Sequence, residues 1–291
     1  MAFIGSVTGS FKAGRRASAY SSAAWLPTDL PPFGLRMWLN PSDTSTTTFS
    51  TDGLNSLTSI TDASGVGTTI DINNTPQQGT EDNKEIIVFD HSSNEYLSTG
   101  SFAIAANGNH WAAFAGTIAT PDNTKDSIWS FETNQSPKRD YALSSGNASA
   151  FDGELDLDGL SSNRISSTAG NLISFTAQTP ISSWTNVIVV AFFNKTGSEI
   201  GVRVNGTNAF TPETDYDNSI KENQLLRIFR NRGSQTFGGT LYEFMSVRGL
   251  PGTGGTDMTY IEEAEGYVAH KWGVTSLLPV SHPYKSSAPT G

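Results

Sequence analysis

Between Gly34 and Arg248 the apolar residues never hold a helical period; they fall in short continuous or alternating runs parted by Gly, Asn, Asp and Pro. An antiparallel sandwich requires this pattern, because each strand buries one face and must turn back after a few residues. The runs lie at 35–40, 56–61, 85–90, 110–119, 127–132, 140–145, 154–158, 171–177, 184–194, 200–206, 224–231 and 239–248. Connections such as TDASGVG (61–67), NKTGS (194–198) and VNGTN (204–208) place Gly or Asn where a tight hairpin needs positive φ. Charged residues make up 16% of the chain, against about 25% in an ordinary globular protein, too few for long salt-laced helices. The 291 residues suit one large β domain.

A helical period enters only at 259–272. Thr259 and Glu262 form a capping box, Ile261, Ala264, Val268 and Trp272 share a face, and Gly273 stands at the C′ position. The chain therefore divides into an N-terminal arm (1–33), a sandwich that includes the helix (34–278) and a tail (279–291). The arm carries Lys12, Arg15 and Arg16 with no acid up to Trp25, and Pro27, Pro31 and Pro32 favour an extended path. Its expected role is to lie across an acidic partner or a neighbouring copy, with Lys12, Arg15 and Arg16 as the partner-binding residues. The tail, with Pro279, Pro283 and Pro289, is expected to strap the domain or to reach a neighbour.

Charge and missing residue types exclude several functions. The 28 acids against 18 bases give a net charge of −10, which phosphate backbones repel, so nucleic acid is not an expected partner. The absence of cysteine removes disulfides, zinc-thiolate sites and thiol nucleophiles. No run approaches the roughly 18 apolar residues of a membrane span, and the opening 20 residues lack the apolar stretch of a signal peptide; neither leader nor anchor is expected.

Candidate sites are few. Loops 40–43, 61–64 and 214–219 are rich in Asp, Asn and hydroxyls and could hold calcium, although the same residues serve turns for backbone reasons. No loop has EF-hand spacing, and no metal site or cofactor is assigned. His91, His110, His270 and His282 form no ligand pair; His270 suits the helix end, and His282 with Tyr284 suits a tail anchor. Trp38, Trp111, Trp129 and Trp184 sit among apolar neighbours and read as core. Tyr216, alone in the acidic stretch PETDYDNS, is the candidate glycan contact.

Three stretches resemble a known family: LRMWLNPSDTSTTT near residue 35 with its SITDASG turn, IIVFDHSSNEYLST at 86–99, and the closing IEEAEGYVAHKWGVTSLLPVSHPYKSSAP. They are similar to laminin-G-like, concanavalin A-like domains of the kind found in bacteriophage virion proteins, and IGVRVNGTNAF (200–210) is similar to a hairpin of that family. His91 stands where the family places a turn glycine. The resemblance covers about residues 34–289 and implies an all-β antiparallel jelly-roll sandwich with extended terminal arms. GELDLDG (153–159) is in turn similar to the acidic strand of family 16 glycoside hydrolases. A retaining mechanism needs carboxyl groups about 5–5.5 Å apart, residues four apart on a strand begin about 13 Å apart, and the last acid, Asp158, is short. Glu154, Asp156 and Asp158 therefore read as an exposed strand face, and no catalytic residue is assigned.

The resulting expectation is a non-enzymatic virion structural protein. It would be a surface decoration protein held by its arm to capsid or tail proteins, and a homo-oligomer. The alternative is a carbohydrate-binding adhesin or tail receptor-binding protein that engages a host surface glycan, and the glycoside hydrolase is the third reading.

Overall fold

The computed structural model describes residues 24–31, 34–105, 109–118, 126–132, 141–147, 150–159, 185–194, 196–197, 199–208, 213–214, 223–230, 236, 238–253 and 257–291. In chain order the strands begin with β1 (Leu35–Leu39), β2 (Thr47–Phe49), β3 (Leu57–Ile60), β4 (Ile70–Asn73), β5 (Gln77–Glu81), β6 (Lys84–Phe89), β7 (Tyr96–Thr99), β8 (Phe102–Ala103) and β9 (His110–Ile118). They continue with β10 (Asp126–Glu132), β11 (Tyr141–Asn147), β12 (Ala150–Gly159), β13 (Val187–Asn194), β14 (Glu199–Val204), β15 (Thr207–Asn208), β16 (Glu213–Thr214), β17 (Asn223–Ile228) and β18 (Gly239–Arg248). A single α-helix among the described residues, α1 (Thr259–Lys271), follows.

The strands form two main antiparallel sheets, as the jelly-roll reading requires. The first runs β15-β14-β13-β9-β18-β6-β5, and the second β12-β11-β10-β17-β7-β4. One edge of β18 pairs with β9 along its whole length. Its other edge is shared between β6, at Gly239–Leu241, and β1, at Phe244–Val247. Between the sheets lies an aromatic core that includes Phe114, Trp129, Phe131, Phe193, Phe229 and Phe244.

The first sheet is buried on both faces. A second apolar layer, with Trp25, Trp38, Trp111, Ile261, Val268 and Trp272, fills the space between its outer face and α1. This is why β13 reads VIVVAFFN without alternation: all eight residues are buried. At Leu241/Glu243 the register of β18 slips against β9. A bulge there turns Tyr242 and Glu243 to the same side, towards α1. Tyr242 stacks on Trp272 at 5.0 Å between ring centroids. The buried Glu243 carboxylate accepts Trp38 Nε1 at 2.5 Å, Trp272 Nε1 at 3.0 Å and Lys271 Nζ at 2.9 Å.

The closing motif is accounted for residue by residue as a clamp. Arg203 of β14 donates to both oxygens of buried Glu265, at 3.0 and 2.8 Å, and His282 Nε2 lies 3.2 Å from the same carboxylate. Gly266 leaves room for Tyr284, whose side chain a Cβ at 266 would overlap. His270 Nε2 meets Tyr284 O at 2.9 Å, and Lys285 Nζ donates to the carbonyls of Thr275, Ser276 and Leu278. Trp25 N donates to Pro289 O, and Ala24 bridges Thr290. Residues 25–30, assigned to the arm from sequence, thus lie against the body, with Trp25 and Leu30 buried.

Several local expectations need correction. Thr259 and Glu262 do not form a capping box, because Thr259 already lies in the first turn, where its N and Oγ1 donate to Asp257. Hydrogen bonds from Thr253 and Thr259 hold the Asp257 carboxyl well below the usual carboxylate range. Glu262 instead approaches Arg203 at 3.8 Å. The helix ends at Lys271, with Trp272 as its cap and Gly273 at φ +67°. TDASGVG is not a hairpin: it carries the chain from β3, which pairs with β2, across to β4 in the second sheet. Around His91 the chain makes a 3-10 turn, and Asn94, at φ +54°, takes the left-handed position.

Trp272→Ala removes both the stack and the indole hydrogen bond. It is expected to lower unfolding free energy by roughly 3–5 kcal/mol, read as a fall in the denaturant midpoint; an unchanged midpoint would mean that α1 does not pack through this ring.

His110 lies between the sheets, edge-on to Phe131 at 4.9 Å, with Nε2 3.2 Å from Ser246 Oγ. Burial depresses its pKa to about 3, against about 6.5 in the unfolded chain. The neutral ring is therefore favoured by folding: its contribution is complete above pH 6.5 and is lost progressively as pH falls towards 3, by up to ~1.4 kcal/mol per pH unit. Denaturant titrations at pH 7, 5.5 and 4.5 should show a shallower decline for His110→Gln than for wild type, and parallel declines would refute this account.

Candidate functional site

The residues singled out from sequence as partner- and glycan-binding, Lys12, Arg15, Arg16 and Tyr216, fall outside the part of the chain that the structure describes, as does Trp184. The GELDLDG segment forms part of β12, with Asp156 opposite Ser144 and Asp158 opposite Ala142; the side chains of Glu154, Asp156 and Asp158 lie outside the described residues. Trp38, Trp111 and Trp129 are core.

The oxygens of the two described calcium candidates are committed to donors of the protein itself. Asp43 Oδ1 accepts Ser45 N and Oγ at 2.9 and 2.7 Å, and Asn40 Oδ1 accepts Ser42 Oγ and Lys271 Nζ. Asp62 accepts Trp38 N, Ser64 N, Ser64 Oγ and Thr68 N. The third loop, 214–219, lies outside the described residues apart from the strand end at Thr214. Among the described residues no three His, Asp or Glu side chains gather as metal ligands. The four histidines are dispersed: His91 Nδ1 faces Thr236 O at 2.6 Å, and the other three belong to the core and the clamp.

Two concavities stand out among the described residues. The larger, about 500 Å³, lies between Leu30, Pro31 and Gly34, the end of β18 and the start of α1, and its walls also include Val247, Arg248, Leu250 and Tyr260. It is a seam between the incoming chain and the body, mostly apolar, with Arg248, Thr253 and Tyr260 as its hydrogen-bonding side chains. The smaller, about 310 Å³, opens at the end of the second sheet, where β4 begins and β7 ends. Val66, Gly67, Thr68 and Thr69 form one wall, and Ser101 and Phe102 the other, with Gly100 between.

Local structure holds this smaller groove in shape. Asp62 anchors the first wall through Thr68 N at 3.3 Å, and Ser64 Oγ accepts Val66 N at 3.2 Å. Phe102 pairs across to Gln224 of β17 and tilts against Phe131 at 6.4 Å, so its ring is set by the core. Arg36 of β1 joins the walls: its carbonyl accepts Thr68 Oγ1 at 3.5 Å, and its Nε donates to Ala103 O at 3.0 Å. Hydroxyls, a half-buried ring and exposed glycine backbone are what a sugar ring needs, since it presents polar edges and an apolar C–H face. None of these lining residues titrates near neutrality, so the groove has no general acid or base. The sequence marked this segment only as a turn; its Gly and Thr content was the available signal.

No family model matches the chain, and no curated protein matches it by sequence. Solved structures match by fold. The binding domain of the Paraclostridial mosquitocidal protein 1 aligns at TM-score 0.54 and 11% identity, over 80% of this chain and 52% of that one. The binding domain of botulinum neurotoxin DC, solved with rat synaptotagmin II, aligns at 0.54 and 11%, over 80% and 51%. Botulinum neurotoxin type C, whose cell entry is described as dependent upon interaction with two ganglioside molecules, aligns at 0.53 and 9%, over 80% and 51%. The chain therefore spans about half the length of these neighbours, and the likeness is one of jelly-roll-like sandwich fold.

Proposed function

We propose that this chain is a non-catalytic binding domain that recognises a glycan on a receptor through the groove between 66–69 and 100–102. The lining of that groove carries the reading: threonine and serine hydroxyls beside the Phe102 ring, with no carboxylate or imidazole among the described lining residues. Hydrolysis of a glycosidic bond uses paired carboxyl groups, and a serine nucleophile uses an adjacent base; the groove offers neither. The fold likeness to domains named as binding domains supports the same reading, as does the ganglioside dependence of one of those proteins.

The resemblance of residues 265–289 to the ending of bacteriophage virion sandwiches supports a place on a particle surface. There the chain before Ala24, with Lys12, Arg15 and Arg16, would reach capsid or tail protein or a neighbouring copy. Within that setting receptor binding has better support than decoration. The decoration reading rests on the closing motif and on a basic arm joined to an acidic body, and the motif is consumed in holding α1 and the tail to the first sheet.

On a glycan array the purified chain is expected to bind a defined subset of oligosaccharides, and to release no reducing sugar from β-glucans or galactans. Release that Glu154→Gln abolishes would replace this reading with a glycoside hydrolase. A chain lacking residues 1–23 is expected to keep its fold and its array profile but to lose association with particles; full association would remove the anchoring role.

A further inference from the structure

Resting on the glycan-binding reading above, we infer that the preferred ligand of the 66–69/100–102 groove is an acidic saccharide whose carboxylate is received by Arg36. The placement of Arg36 is the first reason. Its carbonyl touches Thr68, which lines the groove, and its guanidinium touches Ala103, the neighbour of the lining residue Phe102, so Arg36 stands beside the groove, next to its lining rather than in it.

Charge is the second reason. Lys84, Arg203, Arg227 and Lys271 each contact a carboxylate, at 2.6, 2.8, 2.5 and 2.9 Å. Arg36 shares with Arg230 and Lys285 the lack of a carboxylate contact among the described residues. Lys285, however, is taken up by three carbonyls and Arg230 lies over the Tyr96 ring, whereas Arg36 stands half-buried beside the groove in a chain whose net charge is −10. Its Nε is committed to Ala103 O, which orients the planar fork and leaves the terminal nitrogens as its remaining donors. A guanidinium presented in this way suits a carboxylate, which it can meet with two parallel hydrogen bonds.

The groove itself is the third reason. Its described lining residues are uncharged, the Asp62 carboxylate behind the first wall is taken up by Trp38 N, Ser64 and Thr68 N, and its volume of about 310 Å³ is near the lower end of the ~300–1,000 Å³ range of small-ligand pockets. It therefore suits one terminal ring rather than a long chain. Thr68, Thr69 and Ser101 would meet ring hydroxyls, and Phe102 the apolar face.

The test uses the full chain and paired probes: oligosaccharides ending in a uronic or sialic acid, and the same sugars after reduction of the carboxyl group. Titration calorimetry at low salt should show at least tenfold tighter binding of the acidic member, with the preference shrinking in 0.5 M NaCl. Arg36→Gln should abolish that preference while leaving the weaker binding of the reduced sugar. Gly100→Trp should block both, because a side chain at 100 meets nothing within 4 Å and projects into open space, so folding is not the obstacle. An acidic preference that survives Arg36→Gln, or equal binding of both probes by wild type, overturns the Arg36 assignment and leaves glycan binding standing. Binding that survives Gly100→Trp overturns the groove as the site. If neither probe nor any arrayed glycan binds wild type, the glycan-binding reading falls together with this inference.

Discussion

A carboxylate buried beneath a helix organises this molecule. Glu243 projects from the first sheet into an otherwise apolar layer, where a lone charge would be costly. Two indole N–H groups and one ammonium meet it there. Lys271 in turn sits 5.5 Å from the rings of Tyr267 and Trp272 and donates to Asn40, so its charge is matched by π faces and an amide as well as by Glu243. Burial, with the charge of Glu243 adding to it, pushes the Tyr267 hydroxyl well above its ordinary pKa, which keeps that ring neutral inside the cluster. Removing any partner would leave an unpaired polar group in the apolar layer, so the geometry admits one position of α1 on the sheet.

The second buried carboxylate, Glu265, extends the constraint to the tail and to β14. Arg203, Glu265 and His282 link strand, helix and tail in one network. Tyr284 N donates to His282 Nδ1 at 3.2 Å, which leaves Nε2 to carry the proton towards Glu265. With the outer face of the first sheet covered in this way, the 66–69/100–102 groove lies at the rim, where loops from different strands meet. That division, a clamped face and a loop-built rim, is why the most sequence-distinctive segment carries packing, while the groove is built from plain Gly, Ser and Thr.

The groove draws its rigidity from the same scaffold. Phe102 leans on Phe131 of the inter-sheet core, and Asp62 ties the other wall to Trp38 of β1, whose indole in turn donates to Glu243. A binding surface held by core contacts loses little conformational freedom when a ligand arrives, and this favours selectivity over adaptability.

What sequence alone determined follows from local physics. The all-β class, the central strands, the closing helix and the burial of Trp38, Trp111 and Trp129 are visible because apolar periodicity is a property of neighbouring residues. Edge strands such as QQGTE (Gln77–Glu81) left no trace, since they bury little. Turn residues around 61–67 announced a change of direction but not that the chain would cross between sheets. The capping box failed because Asp257, two residues before Thr259, captured the Thr259 donors. Only tertiary structure brought Arg36 to Ala103, 67 residues away, and so joined the two walls of the groove. Strand partners are chosen by the whole sheet at once, and a site assembled from the loops between them has no counterpart in the order of the residues.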